Sequence, residues 1–139
     1  MKRLNRKGFT LVELLAVIVI LAIVVGIALT TVLPTLKKSR QNAFDLTANT
    51  AADYFEKQYS LYLIGENTYE FTTDNLTKTN NMTDNDYQAA GLKADNYQSG
   101  TGTWEINEET ARACVILYPS TDGQYYDATG PAKSDGCGD

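Results

Sequence analysis

The sequence predicts an α+β chain, in which a long N-terminal helix packs its second half on a small antiparallel sheet of about three strands. Three observations carry this. Leu14–Leu33 holds twenty residues without a formal charge, nearly all apolar, and a helix of that length covers about 30 Å, the thickness of a bilayer hydrocarbon core. Next, Phe44, Ala48, Ala51, Ala52, Phe55, Tyr59 and Tyr62 recur at spacings of three and four, one face of a helix. Finally, residues 103–127 alternate or run apolar between turn signals, as strands do.

The apolar run begins after four cations, Lys2, Arg3, Arg6 and Lys7. Glu13 interrupts its head, and a charge at mid-bilayer costs roughly 2.5–3.5 kcal/mol on insertion scales, so it normally has a partner or a task. A secretory signal peptide would have a shorter apolar core, roughly 7–15 residues, and then a small-residue cleavage site. Here Pro34-Thr-Leu-Lys-Lys-Ser-Arg follows instead. A plain single-pass anchor, with Glu13 snorkelling to the interface, is the simpler alternative.

Lys7-Gly8-Phe9-Thr10-Leu11-Val12-Glu13 shifts the balance away from both. This stretch, with its short basic leader, its Gly before Phe, its Glu at the fifth place from Phe9 and its unbroken apolar helix, resembles the class III leader of the type IV pilin and pseudopilin family. The resemblance covers residues 1–40 closely and is architectural beyond them. It implies a leader at 1–8, a transmembrane and polymerisation helix at 9–35 and a soluble head domain at 36–139. It implies cleavage by a prepilin peptidase between Gly8 and Phe9 on the cytoplasmic side, and N-methylation of Phe9. A glycine suits a scissile backbone that must lie flat in a protease cleft. Glu13 would pair with the N-terminal amine of a neighbouring subunit, since a matched pair in an apolar medium is far less costly than a lone carboxylate. The implied partners are copies of the chain, the peptidase, and an inner-membrane assembly platform with its ATPase. The chain would be a single-pass membrane protein with a cytoplasmic N-terminus, and then part of an extracellular filament.

The helix should start near Phe9 and continue past the membrane. Gly26 and Pro34 weaken it, and Thr30 and Thr31 can bond back to earlier carbonyls, so a kink is expected at 30–34 rather than a break. Gly65 should end the helix near Leu63 or Ile64. Such a helix has about 55 residues and is about 80 Å long, so its apolar half would project as a stalk. Residues 66–102 are polar and rich in Asn, Asp and Thr, which favours turns; Tyr69–Thr72 reads as a short strand or loop. Asn75-Leu-Thr77 and Asn81-Met-Thr83 have the form of glycosylation sequons, and such short matches arise mostly by chance. Thr103–Asn107 and Ala113–Tyr118 read as strands, Pro119 as a terminator, and Gln124–Asp127 as a third strand after the turn at Ser120–Gly123. The tail Ala128–Asp139 would be loose unless Cys137 ties it down.

The 139 residues suit one small domain plus the anchor. The net charge of −5 hides an asymmetry, because residues 41–139 hold five cations and sixteen anions, a net of −11. That argues against nucleic-acid binding, where phosphate contacts need Lys and Arg. The absence of histidine excludes imidazole metal ligands and His-based acid/base catalysis. With the head exported, Cys114 and Cys137 read as a disulfide closing a loop of about 24 residues; two unpaired thiols are the reducing-compartment alternative. Asp122, Asp127, Asp135 and Asp139 are oxygen donors of the kind calcium takes, but their spacing matches no calcium motif, and the expectation is a solvated acidic tail with no cofactor. Glu108 and Glu109 are adjacent in an extended segment and face opposite ways, which makes a poor acid/base pair.

A non-enzymatic structural subunit of a type IV pilus is therefore the expected function. A pseudopilin of a type II secretion system and a competence pilin in DNA uptake are the alternatives. A membrane-tethered enzyme or sensor is disfavoured, as is an adhesive or DNA-binding minor pilin presenting its tyrosines.

Overall fold

A computed structural model describes residue 8 and residues 10–138. Lys2, Arg3, Arg6, Lys7, Phe9 and Asp139 lie outside the described residues, and so do the expectations placed on them. The chain divides into two units at Leu36/Lys37.

In the first unit, helix α1 (Leu11–Leu63) begins, and its assignment runs without interruption through Gly26 and Pro34. Proline cannot donate to the carbonyl four residues back. The hydroxyls around it do not stand idle: Thr30 donates to the Ile27 carbonyl at 2.8 Å, Thr31 to Ala28 at 3.0 Å and Thr35 to Thr31 at 2.9 Å. This segment buries none of its apolar side chains. It is long and apolar enough to cross a membrane.

The second unit takes in the remainder of α1. Phe44, Ala48, Ala51, Ala52, Phe55 and Tyr59 are buried, as the spacing predicts, while Tyr62 is half-buried. The helix closes in a Schellman motif: the Glu66 amide reaches the Leu61 carbonyl at 2.9 Å and the Gly65 amide reaches Tyr62 at 3.0 Å. Gly65 has φ of 94°, the left-handed region where a side chain is disfavoured.

The sheet has four strands in the order β1 (Asn80–Asn81), β2 (Thr103–Asn107), β3 (Arg112–Leu117) and β4 (Ala132–Lys133), all antiparallel. β2 and β3 pair from Thr103↔Ile116 to Asn107↔Arg112. Their inward residues, Trp104, Ile106, Ala113, Val115 and Leu117, are buried with the helix stripe. Phe55 stacks on Trp104 with centroids 4.6 Å apart. At the other end of the core, Phe44 meets Tyr125 at 4.9 Å and Tyr87 stacks on Tyr97 at 4.9 Å.

The small antiparallel sheet forms as expected, with four strands where about three were expected. Two expectations are corrected. Gln124–Asp127 is not one of the strands but a run of turns. The Gly123 Cβ position is filled by the Asn96 backbone, the Gln124 amide donates to Asn96 Oδ1 at 3.1 Å, and Tyr125 turns inward onto Phe44. Tertiary packing overrides its strand-like composition. Residues 66–102 are also more ordered than a loop: they hold α2 (Thr73–Leu76), β1, α3 (Asp84–Ala89) and a 3₁₀ turn at Ala94–Asn96. The Asn, Asp and Thr residues that favour turns also cap helices. Thr72 with Asn75, and Thr83 with Asp86, each form a reciprocal capping box. Tyr69–Thr72 lies outside any strand.

Two outcomes are expected of the full-length chain in detergent, both read by thermal melting. Phe55→Ala should lower stability by about 3–5 kcal/mol, the cost of emptying a filled aromatic site. Burial pushes the Tyr87 phenol up to about 12 from 10.0, and burial followed by the Asp86 hydrogen bond raises Tyr69 as well. The folded chain thus keeps protons that the unfolded chain releases, so stability should be fully present below about pH 10 and fall as pH rises toward about 12.

Candidate assembly and processing site

Thr10 is the N-cap of α1 in function. The Glu13 amide donates to Thr10 Oγ1 at 3.2 Å, and the Thr10 amide donates to Glu13 Oε2 at 3.0 Å. Thr10-x-x-Glu13 is thus a capping box, two orphan helix-end donors satisfied reciprocally. The signature stands in the sequence, where Glu13 has a capping role within its own chain besides the assembly role expected of it. The box holds the carboxylate against the first turn, on the Thr10 amide. Gly8 is exposed; Phe9, the other side of the expected cleavage point, lies outside the described residues.

On either side of Glu13, seventeen large apolar residues from Leu11 to Leu36 are 47–85% exposed. Scattered exposed leucines need no explanation, but a continuous surface of this size marks contact with lipid or protein.

The C-terminal arm is held to the second unit's stretch of α1 by polar ties that the sequence pattern does not display. Arg40 pairs with Asp127 Oδ2 at 2.6 Å. Gln41 Oε1 accepts from the Thr129 amide at 3.0 Å, and Asn49 Oδ1 from the Asp135 amide at 2.8 Å. The Tyr126 hydroxyl and then Asp127 raise the Arg40 pKa above its usual value. Cys114 and Cys137 are joined by a disulfide. Beside it, buried Ser134 accepts from the Val115 amide at 2.9 Å and donates to the Ala113 carbonyl at 3.0 Å. Glu56 accepts from the Ala113 amide at 3.0 Å and pairs with Arg112 Nε at 3.1 Å. The part of the β3 edge that β4 leaves open is therefore closed by side chains, which blocks it as a template for another strand.

Asp127, one of the four aspartates considered as oxygen donors, is engaged by Arg40. Asp122 lies with Asp84 and Asp95 around an open groove. Among the described residues, no three acidic or cysteine side chains converge on a metal position. Glu108 and Glu109 sit in the exposed β2–β3 turn, where Asn107 Oδ1 accepts from the Glu109 and Thr110 amides.

Residues 3–29 match the family model described as the prokaryotic N-terminal methylation motif, the class III leader of type IV pilins and pseudopilins. No curated protein and no solved structure matches the chain significantly. The long helix on a small antiparallel sheet fits the type IV pilin-like α+β fold. The motif is that of a structural subunit of the pilin or pseudopilin type.

Ser134→Ala should cost about 1–3 kcal/mol, because it strands a buried amide and a buried carbonyl. Reducing the Cys114–Cys137 bridge should remove roughly 3 kcal/mol by the loop-entropy model. Denaturant melts of the full chain, with and without reductant, check both.

Proposed function

We propose that this chain is a fibre-forming pilin, cleaved by a prepilin peptidase between Gly8 and Phe9, N-methylated on Phe9 and polymerised through its N-terminal helix. The observation that carries the reading is the methylation motif at residues 3–29 running into a helix whose apolar surface is uncovered. Cleavage removes four cations and leaves the apolar segment at the new N-terminus, free to leave the bilayer and pack on copies of itself. The soluble unit, residues 36–139, is then displayed on a surface filament. Gly26 and Pro34 give the packed helix local freedom to bend.

Glu13 has a defined part in this scheme. Within its own chain its carboxylate serves the Thr10 amide. A carboxylate has acceptor capacity beyond one hydrogen bond, so it can also receive the amine of a neighbouring Phe9 and set axial register. Membrane assembly machinery and its ATPase would drive the extraction.

The mature protein should begin at a methylated Phe9, checked by intact mass and N-terminal sequencing of filaments; a chain still starting at Met1 would overturn the proposal. Glu13→Ala should leave membrane levels unchanged while incorporation into sheared filaments drops at least tenfold, an effect of the size expected from leaving a buried charge unpaired.

A further inference from the structure

Just past the apolar run stand two exposed lysines, Lys37 and Lys38. They follow Leu33 by four and five residues, about one helical turn. Among the described residues neither forms an ion pair. Carboxylates are plentiful in residues 41–139, yet among the described residues the one ion pair made near this stretch is Arg40 with Asp127. Nor can α1 supply a partner: no acid occurs between Glu13 and Asp45, and only positions three or four away face a helical side chain. Cations on the exported flank of a membrane span also run against the usual distribution, which concentrates Lys and Arg on the cytoplasmic side.

We propose that Lys37 and Lys38 form a docking site for the phosphate of an anionic lipid headgroup, in the leaflet that faces residues 37–139. The inference rests on the reading of residues 9–35 as a membrane span. A four-carbon lysine stem can lie along the helix and carry its ammonium to headgroup level. There the ammonium meets phosphate as a compact, hydrated point charge with three donors. Two lysines on consecutive positions diverge by about 100° around the helix, so they clasp headgroups from two sides of it. Nucleic acid offers the same phosphate chemistry, but it would have to approach a unit whose residues 41–139 carry a net charge of −11, whereas a lipid is presented from the membrane side. Once the leader is removed, Lys2, Arg3, Arg6 and Lys7 are gone. The lipid contact then becomes the main electrostatic restraint on how deep the processed helix sits, and it must be released when the subunit leaves the bilayer.

The test reconstitutes the full chain in vesicles of phosphatidylcholine and phosphatidylglycerol and washes them with carbonate. Native mass spectrometry then counts the lipids that stay bound. The wild-type chain should retain phosphatidylglycerol with a preference of about thirtyfold over phosphatidylcholine, as expected for two lysines at an anionic surface. Lys37→Gln with Lys38→Gln should abolish the preference, and Lys37→Arg with Lys38→Arg should keep it. A chain that stays integrated but shows equal preference in wild type and the glutamine variant overturns the lipid site and leaves the span intact. A chain removed by carbonate overturns the span, and the site with it. Loss of the preference in millimolar inorganic phosphate would identify a site for free anions and would also overturn the lipid proposal.

Discussion

The second half of α1 must bury a stripe that is aromatic at its ends and small in its middle. Phe44 and Phe55 are fully buried, and so are Ala48 and Ala51 between them, with Ala52 and Tyr59 nearly so. Methyl-sized side chains let other backbone approach the helix closely, while the rings at either end reach outward into two separate aromatic groups. One gathers Trp104, Tyr69 and Phe71 around Phe55 and Tyr59; the other gathers Tyr97, Tyr87 and Tyr125 around Phe44. Every other element of this unit is placed by one of these two groups or by the strands that run between them. Packing is tight elsewhere in the unit too: a side chain at Gly136 would run into the Ala113 backbone, and one at Gly102 into the Tyr87 hydroxyl.

Polar contacts then fix what the apolar stripe leaves free. Glu56 sits on the same helix and satisfies the Ala113 amide while meeting Arg112. Ser134 serves the next residues of β3. A surface ion pair such as Arg40–Asp127, screened by water, contributes little. Side chains that receive buried main-chain amides matter more, because losing them strands a group that water cannot reach. The disulfide adds covalent closure at the point where these contacts converge.

The elements with a clear period were readable in the chain. The helix stripe repeats every three or four residues, β2 alternates and β3 is a continuous apolar run, and each forms where that pattern places it. Elements built by partners at long range were not readable. Gln124–Asp127 has the composition of a strand, yet Asn96 and Phe44 draw it into turns. β4 is two residues long and has no pattern of its own; it exists because Ser134 and Cys137 attach it to β3. At the candidate site, Gly8, Phe9 and Glu13 stand out by their order alone. The Thr10 partnership needed the helix-start signature to be read beside the motif. Arg40, Asn49 and Glu56 could not be picked out, because each acts on a residue more than fifty positions away.

The stretch between α1 and β2 is tethered at spaced points. Phe71, Leu76, Met82, Tyr87, Ala90 and Tyr97 enter the core, and the capping boxes at Thr72 and Thr83 close each short helix on itself. Most of the polar residues between these anchors face outward. Mutation can therefore rewrite the exterior of this region while the buried anchors and caps stay constant, so lineages carrying this fold could drift apart rapidly in surface character and still share one interior.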